Sequence, residues 1–114
     1  NVKLLGYRKD IAELCKIADL FVFPSLQEGL PIALMEAMAS GLPCVASRIR
    51  GNVDLIIDDN CLCNPIDIDE FVRKLLLFIE NKSLREITVE NHNNRIANFE
   101  AYKINKLISK TYNL

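Results

Sequence analysis

Three prolines and two glycines between Phe21 and Ser47 leave the chain little choice of backbone (FVFPSLQEGLPIALMEAMASGLPCVAS). Phe21, Val22 and Phe23 form a continuous apolar run, as a strand buried on both faces requires. Pro24 and Ser25 stop it. A helix starts at Leu30-Pro31, because proline's missing N–H would find no partner in a first helical turn anyway. Leu30 precedes that proline and is pushed out of helical geometry, so the entry is sharp. Gly41 ends the helix as a left-handed cap, and Pro43 blocks its continuation. Cys44-Val45-Ala46 then returns as the next strand. Strand, loop, helix, turn and strand in this order predict an α/β chain with a parallel sheet.

In such a sheet, ligands bind beyond the carboxyl ends of the strands. The loop with Glu28 and Gly29 lies at one such end. The helix N-terminus behind it offers backbone N–H groups and a partial positive charge, which suit a phosphate or diphosphate. Glu36 falls about 1.5 turns into the helix, roughly 7–9 Å from its start. It is the only charge between Gly29 and Ser40. An unpaired buried carboxylate is costly, so Glu36 is either a surface glutamate on a solvated edge or a group aimed at a polar ligand. Loop glutamates such as Glu28 are common. From the residues alone both readings stay open.

Composition excludes several classes. At 114 residues there is room for one domain, and the net charge of −1 implies no bulk attraction to nucleic acid. No apolar run approaches the ~20 residues of a membrane span, and the opening Asn-Val-Lys-Leu-Leu does not resemble a signal peptide. Cys15, Cys44, Cys61 and Cys63 form no Cys-x-x-Cys or zinc pattern, so no metal is expected. Cys15 and Cys44 read as small buried hydrophobes, and Cys61 and Cys63 flank Leu62 on one strand face. Reduced thiols and a cytoplasmic location fit this usage. No Gly-x-Gly-x-x-Gly turn supports a dinucleotide-dependent oxidoreductase.

Along the chain, Val2–Leu5 reads as a short strand and Gly6-Tyr7-Arg8-Lys9 as the loop after it. Asp10 and Glu13 suggest a capping box for a helix whose buried face is Ile11, Leu14, Cys15 and Ala18. Asp54 reads most simply as a cap or a surface charge. Asp58-Asp59-Asn60 is a solvated turn. Asp67 begins an amphipathic helix with Ile68, Phe71, Val72, Leu75, Leu76 and Ile79 at three- and four-residue spacing. Ser83 and Glu86 suggest a further capping box. His92, in the polar run Glu90–Asn94, is expected in solvent. A last helix, Phe99 to Tyr112, has Ile104, Leu107, Ile108 and Tyr112 on one stripe and Lys103, Lys106 and Lys110 opposite, the lysines as a solvated face. Residues 1–64 thus hold sheet and site, and residues 65–114 hold supporting helices.

The stretch from Pro24 to Ser47 resembles the signature of the retaining GT-B glycosyltransferases called "glycosyl transferases group 1". Two glutamates separated by seven residues, Glu28 and Glu36, precede the turn Gly41-Leu42-Pro43. The lead-in LLGYRKDIAELCKIADLFVFPS and the later VASRIRGNVDLI match as well, the latter in the manner of bacterial surface-polysaccharide enzymes, with Gly51 in the family's small-residue turn and Asp54 as the acidic residue that opens its short helix. The resemblance implies an α/β, Rossmann-like, doubly wound parallel sheet, the C-terminal half of a GT-B fold, serving as a donor-binding domain for a nucleotide-diphosphate sugar, with a UDP-sugar expected and no cofactor. Glu28 would hold the transferred sugar as the catalytic carboxylate, and Glu36 the ribose hydroxyls. Backbone groups of Gly29, Leu30 and Ile32 would face sugar and diphosphate, beside Pro31, which has no N–H to give. Gly6, Tyr7 and Arg8 would lie against the base. Partners implied are a saccharide or lipid-linked acceptor, with peripheral membrane association, and an N-terminal domain that this sequence does not contain. The family's first donor-domain strands and their Arg/Lys pair have no counterpart before Val2. The chain is therefore expected to be a partial domain, inactive alone, and prone to self-association through an open sheet edge. A non-catalytic nucleotide-binding or structural α/β module is the alternative.

Overall fold

A computed structural model describes the backbone of residues 2–112 and the side chains of residues 2–99. Three strands, β1 (Phe21–Phe23), β2 (Cys44–Ser47) and β3 (Leu62–Cys63), form a parallel sheet in the order β1-β2-β3. Phe21, Val22 and Phe23 stand opposite Cys44, Val45 and Ala46, and Ala46 and Ser47 opposite Leu62 and Cys63. The helices are α1 (Ile11–Ile17), α2 (Ile32–Ala39), α3 (Asn52–Leu55), α4 (Ile68–Glu80) and α5 (Lys82–Tyr112), with a 3-10 turn at Asp59–Cys61.

Central strand β2 is buried at all four positions, as a strand flanked on both edges must be. Leu34, Ala37 and Met38 of α2, Leu55 and Ile56, Phe71 and Phe78 of α4, and Ile96 of α5 complete the core around it. Helix α2 ends as expected: Gly41 has φ +85°, its N–H donates to Met38 O, and Leu42 N–H donates to Ala37 O. These two bonds are a Schellman motif, and they turn the chain directly into β2. Asp67 also caps as expected, its Oδ1 accepting Glu70 N–H at 3.0 Å.

Several local expectations are corrected. Residues Val2–Leu5 form no strand, and Val2 and Leu4 are almost wholly exposed. A strand needs a neighbour for its N–H and C=O groups, and no described strand lies beyond β1. For the same reason β1 is an edge, and Val22 is exposed rather than buried on both faces. Asp10 does not cap α1; its carboxylate is taken by the Arg8 guanidinium, with Nε at 2.7 Å. Of the face predicted for α1, only Cys15 is buried. On α4 the buried pair is Phe71 and Phe78, while Ile68, Val72, Leu76 and Ile79 face outward.

The cap of α5 is Asn81, whose Oδ1 accepts Leu84 N–H at 3.0 Å, and Ser83 sits inside the first turn. Helix α5 runs unbroken from Lys82 to Tyr112, so no separate final helix begins near Phe99. The side-chain stripes predicted for residues 103–112 lie outside the described side chains.

His92 is the largest correction. It is buried, and its Nε2 accepts Cys44 N–H at 3.2 Å. Helical spacing explains this: Thr88, His92 and Ile96 recur every four residues, and all three are buried where α5 packs against the core. Burial lowers the His92 pKa, opposed by the charge of Asp58. All four cysteines are reduced and buried. Burial, with the neighbouring Cys61 and Cys15, holds the Cys44 thiol far above its usual range. Cys61 is pushed up to about 12, mainly by burial.

Candidate functional site

The loop from Pro24 to Pro31 leaves the carboxyl end of β1 and enters α2. Within it, Ser25 Oγ donates to Glu28 Oε1 at 3.1 Å, so the half-buried Glu28 has one oxygen fixed by its own loop. Its other oxygen makes no hydrogen bond or ion pair among the described residues. This Ser–Glu bond was visible in the sequence only as a spacing of three.

A second segment supports the loop from beneath. After β2 the chain turns through Arg48–Gly51, and Gly51 is buried against the loop backbone. A Cβ placed on Gly51 would lie 2.9 Å from Gly29 O, 3.2 Å from Glu28 O and 3.6 Å from Pro31 Cδ. Gly51 also has φ +95° and ψ −58°, a conformation closed to side chains with a Cβ. Asn52 follows, fully buried, its Nδ2 donating to Ser47 O at 3.0 Å. Ser47 Oγ in turn donates to Phe23 O at 3.3 Å, tying the carboxyl ends of β1 and β2 together. The family resemblance marks Gly51 as a turn residue; its close approach to the Glu28 loop is a finding of the fold.

Helix α2 begins one residue later than its proline suggests. Pro31 adopts φ −80°, ψ 76°, and Ile32 N–H donates to Leu30 O at 2.9 Å. That is an inverse γ-turn, and it takes up an N–H that the resemblance assigns to the donor. The first bond of the helical type is Met35 N–H to Pro31 O at 3.0 Å. The N–H groups of Ala33 and Leu34 are left facing the N-terminal end. Glu36 lies on the exposed side of α2, opposite the buried Leu34, Ala37 and Met38. It is paired with no cation among the described residues, so its carboxylate is available to a ligand's hydroxyls.

The structure therefore brings Glu28, Gly29 and Pro31 together with Gly51, with Leu30 and Ile32 closing the turn. Gly6, Tyr7 and Arg8 are not joined to this group by any hydrogen bond or ion pair among the described residues. Tyr7 is 89% exposed, and Arg8 is bound to Asp10. Gly6 has φ +68°, so the chain bends there. Asp58 and Asp59 are engaged locally: Asp58 Oδ1 accepts Asn60 N–H at 2.9 Å, and Asp59 accepts from Arg48 Nη2 at 2.7 Å. The Arg48 hydrogen bond, reinforced by its charge, holds the Asp59 carboxyl below its usual range. No helix among the described residues is long and apolar enough to cross a membrane.

Residues 1–95 match the family model "Glycosyl transferases group 1". Over 113 residues the chain is 41% identical to UDP-Gal:alpha-D-GlcNAc-diphosphoundecaprenol alpha-1,3-galactosyltransferase of Escherichia coli, covering 97% of this chain and 28% of that protein. It is 32% identical over 94 residues to lipopolysaccharide glucosyltransferase WaaG of Escherichia coli K12, covering 80% of this chain and 25% of that protein. The chain thus spans roughly a quarter of the length of these relatives. Its fold matches the catalytic domain of cholesterol-alpha-glucosyltransferase from Helicobacter pylori with a TM-score of 0.74 at 22% identity, over 82% of this chain and 60% of that one.

Proposed function

The chain belongs to the glycosyl transferases group 1 family and has the α/β fold of a GT-B glycosyltransferase domain, and from that premise we propose that it is the donor-binding part of a polysaccharide-building glycosyltransferase. The observation that carries the reading is the loop bearing Glu28, held by Ser25 and seated on Gly51 at the carboxyl end of a parallel strand. That is where an open α/β sheet takes its ligand.

The donor is a nucleotide-diphosphate sugar, with UDP as the expected nucleotide. Glu36, exposed and acceptor-only, takes hydrogen bonds from two adjacent ribose hydroxyls. The free oxygen of Glu28 holds a hydroxyl of the transferred sugar. The N–H groups of Gly29 and Leu30, with the open end of α2, face the diphosphate and stabilise the charge that grows on it as the glycosidic bond breaks. Such fixed dipoles do this without a metal, and transfer proceeds with retention. Gly6–Arg8 takes up its place against the base when the donor binds.

Acceptor binding belongs to a further domain, and the acceptor is a saccharide or lipid-linked saccharide. Its lipid accounts for peripheral attachment to the inner face of the membrane. The 114-residue chain alone binds donor without turning it over, and its open β1 edge pairs with a second copy. Calorimetry with UDP and with UDP-sugars tests the binding. Saturable binding weakened in Glu36→Gln, with melting unchanged, supports the donor reading; equal binding by both chains removes it. Robust donor hydrolysis by the chain alone contradicts the predicted inactivity, and a monomer at all concentrations in light scattering contradicts edge pairing.

A further inference from the structure

The candidate site is short of positive charge. Glu28 and Glu36 are both carboxylates, and a nucleotide-diphosphate sugar brings a negative charge on each of its phosphates. Against these, the N-terminal end of α2 offers roughly half an elementary charge. Like charges gathered at one site repel, so a donor bound there gains from any cation within reach.

The turn after β2 supplies one. Arg48 and Arg50 are both exposed, with half-buried Ile49 between them and buried Gly51 after them. Arg48 is committed: its Nη2 donates to Asp59 Oδ1 at 2.7 Å and to Leu62 O at 3.4 Å, beside β3. Arg50 makes no hydrogen bond or ion pair among the described residues, through its guanidinium or its backbone N–H. Its Cα is placed by its neighbour. A Cβ on Gly51 would lie 2.9 Å from Gly29 O, so the Arg50 Cα falls within about 8 Å of that oxygen. An extended arginine side chain spans most of that distance. A ligand seated on the Glu28–Pro31 backbone is therefore within reach of the Arg50 guanidinium, and phosphate oxygens match its planar fork of N–H donors.

Resting on the donor reading above, we propose that Arg50 is a diphosphate-binding residue of the donor site. On donor binding its guanidinium swings onto the phosphates and holds them together with the N–H groups of the Glu28 loop. It offsets the negative charge that the two carboxylates and the short helix α2 leave uncompensated. Arg50 thereby sets the preference of the site for a nucleoside diphosphate over the bare nucleoside.

The test compares UDP with uridine, which lacks the phosphates, in amide NMR titrations of the ¹⁵N-labelled chain. Arg50→Gln is expected to weaken UDP binding about tenfold, as loss of a charged hydrogen bond does, and to leave uridine binding within about twofold of the parent. Arg50→Lys keeps the charge and recovers part of the loss. Melting stays level in both variants, since the side chain is exposed and unpaired. Raising NaCl from about 50 to about 300 mM weakens UDP binding more in the parent than in Arg50→Gln, because one screened contact is already gone. Equal UDP affinity in parent and Arg50→Gln, with shifts still present at residues 28–36, overturns the role of Arg50 and leaves the donor reading standing. An equal loss for UDP and uridine also overturns it, because a residue that merely supports the loop would behave so. UDP that binds neither chain removes the donor reading and the role of Arg50 together.

Discussion

Gly51→Ala is the most informative single perturbation of the candidate site. The new methyl group would meet Gly29 O at 2.9 Å and Glu28 O at 3.2 Å, both backbone atoms that a rotamer change cannot move. A φ of +95° at a non-glycine residue costs about 1–3 kcal/mol, and overpacking costs about 1–3 kcal/mol more unless the loop yields. Part of each is relieved by displacing the Glu28 loop, so a net loss of about 2–4 kcal/mol is expected. For a chain of this length, unfolding entropy of about 2 cal/mol/K per residue turns that into a fall of roughly 8–16 °C in melting temperature. Gly29→Ala is the control: a Cβ there has nothing within 4 Å, so its cost is small. Thermal melting by circular dichroism reads both variants. Donor binding should fall in Gly51→Ala even well below its melting temperature, because the loop has moved. A Gly51→Ala chain that melts within about a degree of the parent and binds donor equally would refute the claim that Gly51 is the seat of the loop.

Other consequences are open to equally direct measurement. Glu36→Gln should weaken nucleotide-sugar binding by about 10- to 100-fold, the loss of hydrogen bonds to a charged acceptor, and leave melting unchanged because the side chain is exposed. His92 has a lowered folded pKa, so the unfolded chain takes up a proton first as pH falls. Its contribution to stability is complete above the unfolded value of about 6.5. It declines as pH drops from there and levels off below the folded pKa; His92→Gln should flatten this part of a melting-temperature profile between pH 7 and 5. Asn81→Ala should cost about 1 kcal/mol in urea unfolding through loss of the α5 cap, whereas Ser83→Ala should change stability by less than about 0.5 kcal/mol. All four cysteines should resist a thiol reagent in the native chain and react together on unfolding, since each is buried.

The elements legible in the sequence were those defined by covalent restriction. Pro31, Gly41 and Pro43 limit the backbone whatever surrounds them, and α2 and β2 fall where they direct. Asp67 capped as its position foretold, because a cap needs only its own helix. Elements that depend on partners are not legible in the sequence. The apolar run Val2–Leu5 is a strand only if another strand lies beside it, and β1 is buried on both faces only under the same condition. The Asp10 cap lost to a guanidinium two residues away, a competition that propensity does not weigh. His92 was hidden by its polar neighbours: Glu90, Asn91, Asn93 and Asn94 face outward, while the four-residue rhythm of Thr88, His92 and Ile96 carries the histidine inward to Cys44. At the candidate site, Glu28 and Glu36 stood out as types at a spacing, but Ser25 and Gly51 owe their roles to approach in space.

The central claim, that the Glu28 loop and α2 bind the nucleotide part of a sugar donor, is tested most directly by an amide NMR titration of the chain with UDP, then GDP and ADP. The account predicts saturable shifts at residues 28–36 and 51–52, with residues 6–9 responding as the base is covered, and strongest binding for UDP. A folded spectrum in which none of the three nucleotides moves these resonances would contradict it.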